Sequence, residues 1–215
     1  MLLARIADTS SAVAASTARL KKIELLADTL HELRHEEIAV GVAYLSGVLP
    51  HGPIGVGWAA LRELPPPAGE PTLEVLEVDA ALRRVGEAAG AGSQQRRRAE
   101  LAALFDRATE PEQRFLVGLL LGELRQGAQE GVMADAVASA AAVPATSVRR
   151  ASMVAGDLRE VAAAALREGE RGLDRFGLTV LRPLQPMLAH TADDVRAALD
   201  RTGAAVLEWL SLIHI

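Results

Sequence analysis

The chain has 215 residues, half of them hydrophobic, which is enough to bury the core of one large domain or two small ones. Its net charge of −5 does not indicate a strongly basic protein, although a local basic stripe can exist in an acidic chain, and the lack of cysteine excludes disulfides and cysteine nucleophiles. The longest apolar stretch, Phe115 to Leu124, is far shorter than the roughly 20 residues of a membrane span, and the N-terminus lacks a signal-peptide pattern, so we expect a cytoplasmic protein with no membrane partner.

Apolar residues recur at three- and four-residue spacing along most of the chain, and only 3% of residues are aromatic. This pattern predicts an all-α fold, with one multi-helix domain of about nine helices over residues 1–178. One helix is expected to start at Thr109-Glu110-Pro111-Glu112, which supplies a capping residue, an early proline and acids. Pro144 is expected to separate two later helices. The clearest apolar stripe consists of Leu20, Ile23, Leu26, Leu30 and Leu33.

The sequence changes character after Gly177. Residues 178–181 are β-prone, and residues 182–187 form a proline-punctuated connector. We therefore predict that residues 179–209 are a connector and the beginning of an α+β domain, with a short helix at Ala192–Arg201 and an opening strand over residues 204–209. Residues 210–215 resemble translated adapter sequence, and we expect them to be a non-native tail of an incomplete gene model.

The segment His31-Glu32-Leu33-Arg34-His35 matches the H-E-x-x-H pattern, in which two histidines one helical turn apart bind zinc. On a continuous helix, however, the apolar stripe would direct both histidines toward the solvated face. A catalytic zinc also needs a pocket and a third protein ligand. We interpret the motif as a solvated helix end, and a zinc hydrolase stays only as the less favoured alternative.

A glycine-rich loop, Gly52–Gly57, precedes a predicted helix at Trp58, where free backbone N–H groups and the helix dipole could bind a phosphate. Its spacing matches neither the dinucleotide nor the P-loop fingerprint. An ordinary loop is the simpler interpretation.

A second glycine-bounded turn contains Arg125, Gly127 and Gly131 between two predicted helices. Two helix ends and an arginine at one turn could bind a phosphate backbone, although a helix stop at Gly127 explains the pattern equally well.

Basic residues also cluster beside the ends of predicted helices. Most clusters of this kind are only solvated surfaces. Because no aromatic residue is interleaved with them, they would bind duplex backbone rather than stacked bases. The clusters are Arg19, Lys21 and Lys22; Arg96, Arg97 and Arg98; and Arg149 and Arg150.

The order and spacing of several segments resemble the N-terminal region of ATP-dependent DNA ligases. These segments are Ser16–Ile23, Val42–Gly47, Ile54–Gly57, Gly122–Gly127 with Glu130–Gly131, Gly156–Leu158 and Arg182–Ala189. The resemblance implies an all-α domain that binds nicked double-stranded DNA mainly through phosphates, with adenylation and OB-fold domains completing the parent enzyme. It implies DNA contacts at Arg19, Lys21, Lys22, Gly55, Gly57, Arg125, Gly127 and Gly131, and charge alone adds Arg149 and Arg150.

In that family a lysine attacks the α-phosphate of ATP, and Mg²⁺ eases the charge on the phosphates. This sequence resembles the approach to that lysine at Glu208-Trp209, but Leu210 stands where the lysine is expected. We therefore predict no catalytic residue, metal or cofactor in this chain and no nick sealing by it alone. ATP and Mg²⁺ would serve the parent ligase in replication, repair and recombination. The acidic net charge leaves a helical protein-interaction domain as the alternative.

Overall fold

A computed structural model describes residues 1–62, 64–124, 130–184 and 192–203. Within these ranges it contains eleven α-helices and no β-strand, which confirms the predicted all-α fold. Two short 3₁₀ turns, His35–Glu37 and Trp58–Ala60, complete the regular structure there. The helices are α1 (Leu3–Ala15), α2 (Arg19–Glu32), α3 (Ile38–Leu45), α4 (Val75–Glu87), α5 (Ser93–Asp106), α6 (Glu110–Leu121), α7 (Glu130–Ala141), α8 (Ala145–Ala155), α9 (Leu158–Glu168), α10 (Glu170–Leu173) and α11 (Val195–Thr202).

The start of α6 follows from local sequence chemistry. One carboxylate oxygen of Glu112 accepts hydrogen bonds from the backbone N–H of Thr109 at 2.8 Å and from its hydroxyl at 2.7 Å. This contact fixes the first turn, where backbone N–H groups have no partner within the helix. The predicted starts at Thr109 and around Pro144 are both confirmed, since α6 begins at Glu110 and α8 begins at Ala145.

One hydrophobic cluster runs through the helices of the first 176 residues. Helix α2 packs against α1 and α7, α3 packs against α9, and α4 and α5 pack against each other. Tyr44 and Phe105 are among the largest fully buried side chains, and the ring of Tyr44 lies 6.3 Å from that of Phe115. Burial, with Asp79 nearby, raises the pKa of Tyr44 far above its usual range.

The apolar stripe predicted for α2 is wrong at its N-terminal end. All buried residues of α2 lie in its C-terminal half, between Leu26 and Leu30, and Leu20 in the first turn is 80% exposed. Periodicity identifies the apolar face of a helix, but neighbouring elements decide how much of its length is covered.

Residues 178–181 do not form the β-structure that their composition favours. The chain turns at residues 180 and 181, with the N–H of Arg182 donating to the carbonyl of Thr179 at 3.1 Å. Leu178, Val180 and Leu181 are almost fully exposed. A β-prone segment forms a strand only when another strand supplies hydrogen bonds, and the described residues offer none here.

The chain divides into two compact units, Met1–Gln185 and Pro186–Ile215. The predicted boundary after residue 178 therefore lies inside the first unit. In the second unit, α11 (Val195–Thr202) is close to the helix predicted at Ala192–Arg201, while the predicted strand over residues 204–209 and the tail lie outside the described residues. None of the described helices is both long and apolar enough to cross a membrane.

Candidate nucleic-acid interface

The H-E-x-x-H segment does not lie on one helix, and our placement of it on a continuous helix is wrong. Helix α2 ends at Glu32, Leu33 and Arg34 are extended, and His35 begins a 3₁₀ turn. The two histidines are therefore not one helical turn apart, and both are exposed. Over the ranges that the structure describes, no group of three metal-ligating side chains comes together.

The glycine loop before Trp58 does not lead into an α-helix, which is a second correction. Only a three-residue 3₁₀ turn follows Gly57, too short to provide the helix N-terminus on which a phosphate site would depend. Gly55 has a positive φ of 70°, a conformation that favours glycine, so the turn itself accounts for this residue. The predicted DNA contacts at Gly55 and Gly57 stay untested.

Two residues of the basic cluster on α5 bind backbone carbonyls at the end of α4 and in the loop that follows it. Arg97 donates to the carbonyls of Val85 at 3.1 Å and Ala88 at 2.9 Å, and Arg96 donates to those of Ala89 and Ala91 at 2.6 Å and 3.0 Å. Cations at a helix C-terminus satisfy its free carbonyls and complement the helix dipole. These two guanidinium groups are thus occupied within the fold.

The structure brings Arg19 and Arg149 together on one carboxylate, that of Asp135 on α7. Nη2 of Arg19 donates to Oδ2 of Asp135 at 2.7 Å and to the carbonyl of Gly131 at 3.3 Å. Nη2 of Arg149 bonds Oδ1 of the same aspartate. We call Arg19, Asp135 and Arg149 the arginine–aspartate cluster. It joins the start of α2 to the consecutive helices α7 and α8, which lie more than 100 residues further along the chain.

The cluster holds two positive charges and one negative charge, so it stays net positive. The side chains of Arg19 and Arg149 are 56% and 54% exposed, whereas that of Asp135 is only 14% exposed. Within the described part of the chain, each arginine uses only Nη2, so its Nε and Nη1 N–H groups face no protein acceptor. An external oxyanion can therefore receive charge-assisted hydrogen bonds from both arginines.

The other predicted contact residues are distributed as follows. Lys21 forms an exposed ion pair with Glu24 at 3.0 Å, and Lys22, one residue along α2, is half-buried. Arg150 is exposed on α8 beside Arg149. Arg125 and Gly127 lie outside the described residues. Gly131 contributes its carbonyl to Arg19, and a Cβ added to it would lie 3.9 Å from Nη2 of that arginine.

Sequence reasoning did not identify Asp135. Its only local signal is that it follows Gly131 by four residues on α7, which places both on one helix face. Nothing near it in sequence indicates a pair with Arg19, because that contact spans 116 positions.

Comparisons with known proteins show which proteins the chain is similar to. Residues 59–138 match the family model described as DNA ligase N terminus. The chain is 57% identical over 214 residues to a protein of Anaeromyxobacter dehalogenans (strain 2CP-C) named "Probable DNA ligase", covering 97% of this chain and 42% of the relative. Proteins with the same name from Mycolicibacterium gilvum and Mycobacterium bovis BCG are 54% and 52% identical, over 96% of this chain and 40% and 41% of theirs.

The chain thus spans about two fifths of the length of the curated relatives it matches, and the match extends over nearly all of its own residues. The helical fold agrees with the family expected from the segments Ser16–Ile23 and Val42–Gly47. Nearly the whole chain is thus similar to proteins named "Probable DNA ligase", and residues 59–138 match the DNA ligase N terminus.

Proposed function

We propose that this chain binds nicked double-stranded DNA as the N-terminal domain of an ATP-dependent DNA ligase, acting in the cytoplasm on chromosomal DNA. The observation that carries the proposal is the arginine–aspartate cluster, which presents two half-exposed arginines side by side on the surface. The relatives, named "Probable DNA ligase", supply the substrate class.

The chemistry of the cluster suits a phosphodiester backbone. Arginine is a planar donor that binds phosphate oxygens in pairs, and contacts to phosphate position a protein on DNA without reading its sequence. The predicted contacts at Lys21, Lys22 and Arg150 flank the cluster in sequence and would extend the same surface. A backbone-binding domain of this kind holds the duplex for a separate catalytic core.

Nick sealing would need the rest of the parent enzyme. Position 210 carries leucine where the family has its adenylated lysine, so we propose no covalent step for this chain. In the parent ligase, ATP and Mg²⁺ would act in the adenylation domain, and an OB-fold domain would complete the enclosure of DNA. We also propose that the parent ligase acts in DNA replication, repair and recombination.

The proposal is tested by fluorescence anisotropy of the whole 215-residue chain with nicked duplex DNA across a salt series. Contacts with Z phosphates give a log–log slope of affinity against salt of roughly −0.9Z. The variant Arg19→Ala/Arg149→Ala should bind more weakly and lower the slope by about 1 to 2.

Arg114 offers a matched control, since it is an exposed arginine paired with Glu110 on α6, away from the cluster. Arg114→Ala should leave the slope unchanged. If wild type does not bind duplex at low salt, or binds with no salt dependence, the helical protein-interaction domain becomes the better explanation.

A further inference from the structure

Two arginines that no sequence pattern singled out as a pair line one cleft between the 3₁₀ turn Trp58–Ala60 and helix α5. The cleft has a volume of about 410 Å³ and is lined by Arg62 and Arg98 together with apolar side chains that include Leu101 and Phe105. Among the described residues that line it there is no carboxylate. We call it the Arg62–Arg98 cleft.

Helix periodicity explains why Arg98 faces the cleft. Arg98, Leu101, Ala102 and Phe105 are spaced three, four and seven residues apart, so they share one face of α5. Leu101 and Phe105 are buried and form the apolar floor. On the opposite wall, Leu61 is buried and anchors the loop from which Arg62 projects.

These two arginines differ from most of their neighbours in having no protein partner among the described residues. Arg84 pairs with Glu100 at 2.9 Å, and Arg107 pairs with Glu77. Arg97 is occupied by carbonyls at the end of α4. Among the described residues, no such hydrogen bond or ion pair involves Arg62 or Arg98, and both side chains are exposed.

The arrangement sets the chemistry of a ligand. Two guanidinium groups, with no carboxylate among the described lining residues, favour an anion, and an apolar floor favours a group that carries carbon next to that anion. Because the floor excludes water on one side, charge-assisted bonds at the cleft are stronger than those of fully solvated arginines. A deoxyribose with its phosphate has both properties.

We infer that the Arg62–Arg98 cleft is a second contact for the sugar–phosphate backbone of duplex DNA, separate from the arginine–aspartate cluster. This inference rests on the proposed function and adds to it a site of different construction. At the cluster an aspartate holds the arginines, whereas at the cleft no described lining residue is a carboxylate. Both cleft arginines lie within residues 59–138, the part that matches the DNA ligase N terminus.

The test is the affinity of the whole chain for nicked duplex across a salt series, comparing wild type with Arg62→Ala/Arg98→Ala. Loss of two phosphate contacts should lower the log–log slope by about 1.8 and weaken binding by about tenfold or more at moderate salt. The matched control is Arg84→Ala/Arg107→Ala, which removes the same charge from the α4 and α5 region but from arginines that are ion-paired.

Melting temperatures of all variants are measured in parallel, so that loss of fold is not mistaken for loss of contact. The inference holds if the cleft variant keeps its melting temperature and has a smaller log–log slope of affinity against salt, while the slope of the control variant is unchanged. It is overturned if wild type binds DNA in a salt-dependent manner and the cleft variant binds equally well, or if the control loses as much slope as the cleft variant. The proposed function fails separately, when wild type itself shows no salt-dependent binding.

Discussion

The substitution Asp135→Asn gives opposite predictions for two roles of this residue. If Asp135 only neutralises its neighbours, removing its negative charge should tighten DNA binding. A carboxylate about 7 Å from a phosphate in water repels it by about 0.6 kcal/mol, and salt reduces this to about 0.3 kcal/mol. Charge removal alone therefore predicts binding that is about twofold tighter.

We expect weaker binding, because Asp135 holds both arginines in place. Its carboxylate is mostly buried and bonds Arg19 at 2.7 Å and Arg149 through its other oxygen. An arginine side chain has about 2 kcal/mol of rotamer entropy. Without the carboxylate the two arginines are no longer ordered before DNA binds, and we estimate that ordering them on binding costs about 1 to 2 kcal/mol. After subtracting the relief of repulsion, we expect binding about threefold to twentyfold weaker.

The assay is anisotropy with nicked duplex over a salt series, accompanied by a thermal melt. Weaker binding together with a slope reduced by about 1 supports positioning, because a shift in stability alone would leave the slope of the folded protein unchanged. In the background Arg19→Ala/Arg149→Ala, Asp135→Asn should have no further weakening effect. Tighter binding of the single variant, with an unchanged slope, would refute the positioning role.

Two further predictions concern stability, measured by urea or thermal denaturation. Gly172→Ala should lower the free energy of unfolding by about 1 to 3 kcal/mol, because the new Cβ would lie 2.4 Å from the carbonyl oxygen of Ala164. Gly177→Ala should be nearly neutral, because no atom lies within 4 Å of its new Cβ. Equal losses of stability in the two variants would contradict this prediction. Burial alone would raise the pKa of Glu37, but its hydrogen bonds from Arg34 and the N-terminal ammonium lower it to about 2 from 4.5. Because its pKa is lower in the folded protein, ionised Glu37 should stabilise the fold by about 2 kcal/mol above about pH 4.5. This stabilisation should be lost as the pH falls toward 2. In Glu37→Gln, the free energy of unfolding should therefore depend less on pH between about 2 and 4.5.

Local signals in the sequence predicted the helices well where the physics is local. Thr109 with Glu112 and the proline at 144 act within one helical turn, so the starts of α6 and α8 could be read directly. About nine helices were predicted over residues 1–178, where the structure describes ten, and the β-prone segment 178–181 forms no strand. Pairing with another strand is a long-range contact that the composition of one segment does not determine.

The candidate site divides in the same way. Arg19 and Arg149 were identified from family resemblance and from charge, but charge alone did not distinguish Arg96, Arg97 and Arg98 from one another. Folding assigns the first two to the end of α4 and leaves the third on the cleft face of α5. Which members of a charged run stay available depends on the carbonyls and carboxylates that packing brings within hydrogen-bond distance.

The sequence by itself determined the all-α class, the main helix boundaries and the similarity to DNA ligases, because these depend on short-range patterns and on the order of segments. Only the tertiary structure placed Asp135 between Arg19 and Arg149 and Arg98 opposite Arg62. Such pairs join elements far apart in the chain, and their geometry is set when the apolar faces of the helices pack into one core.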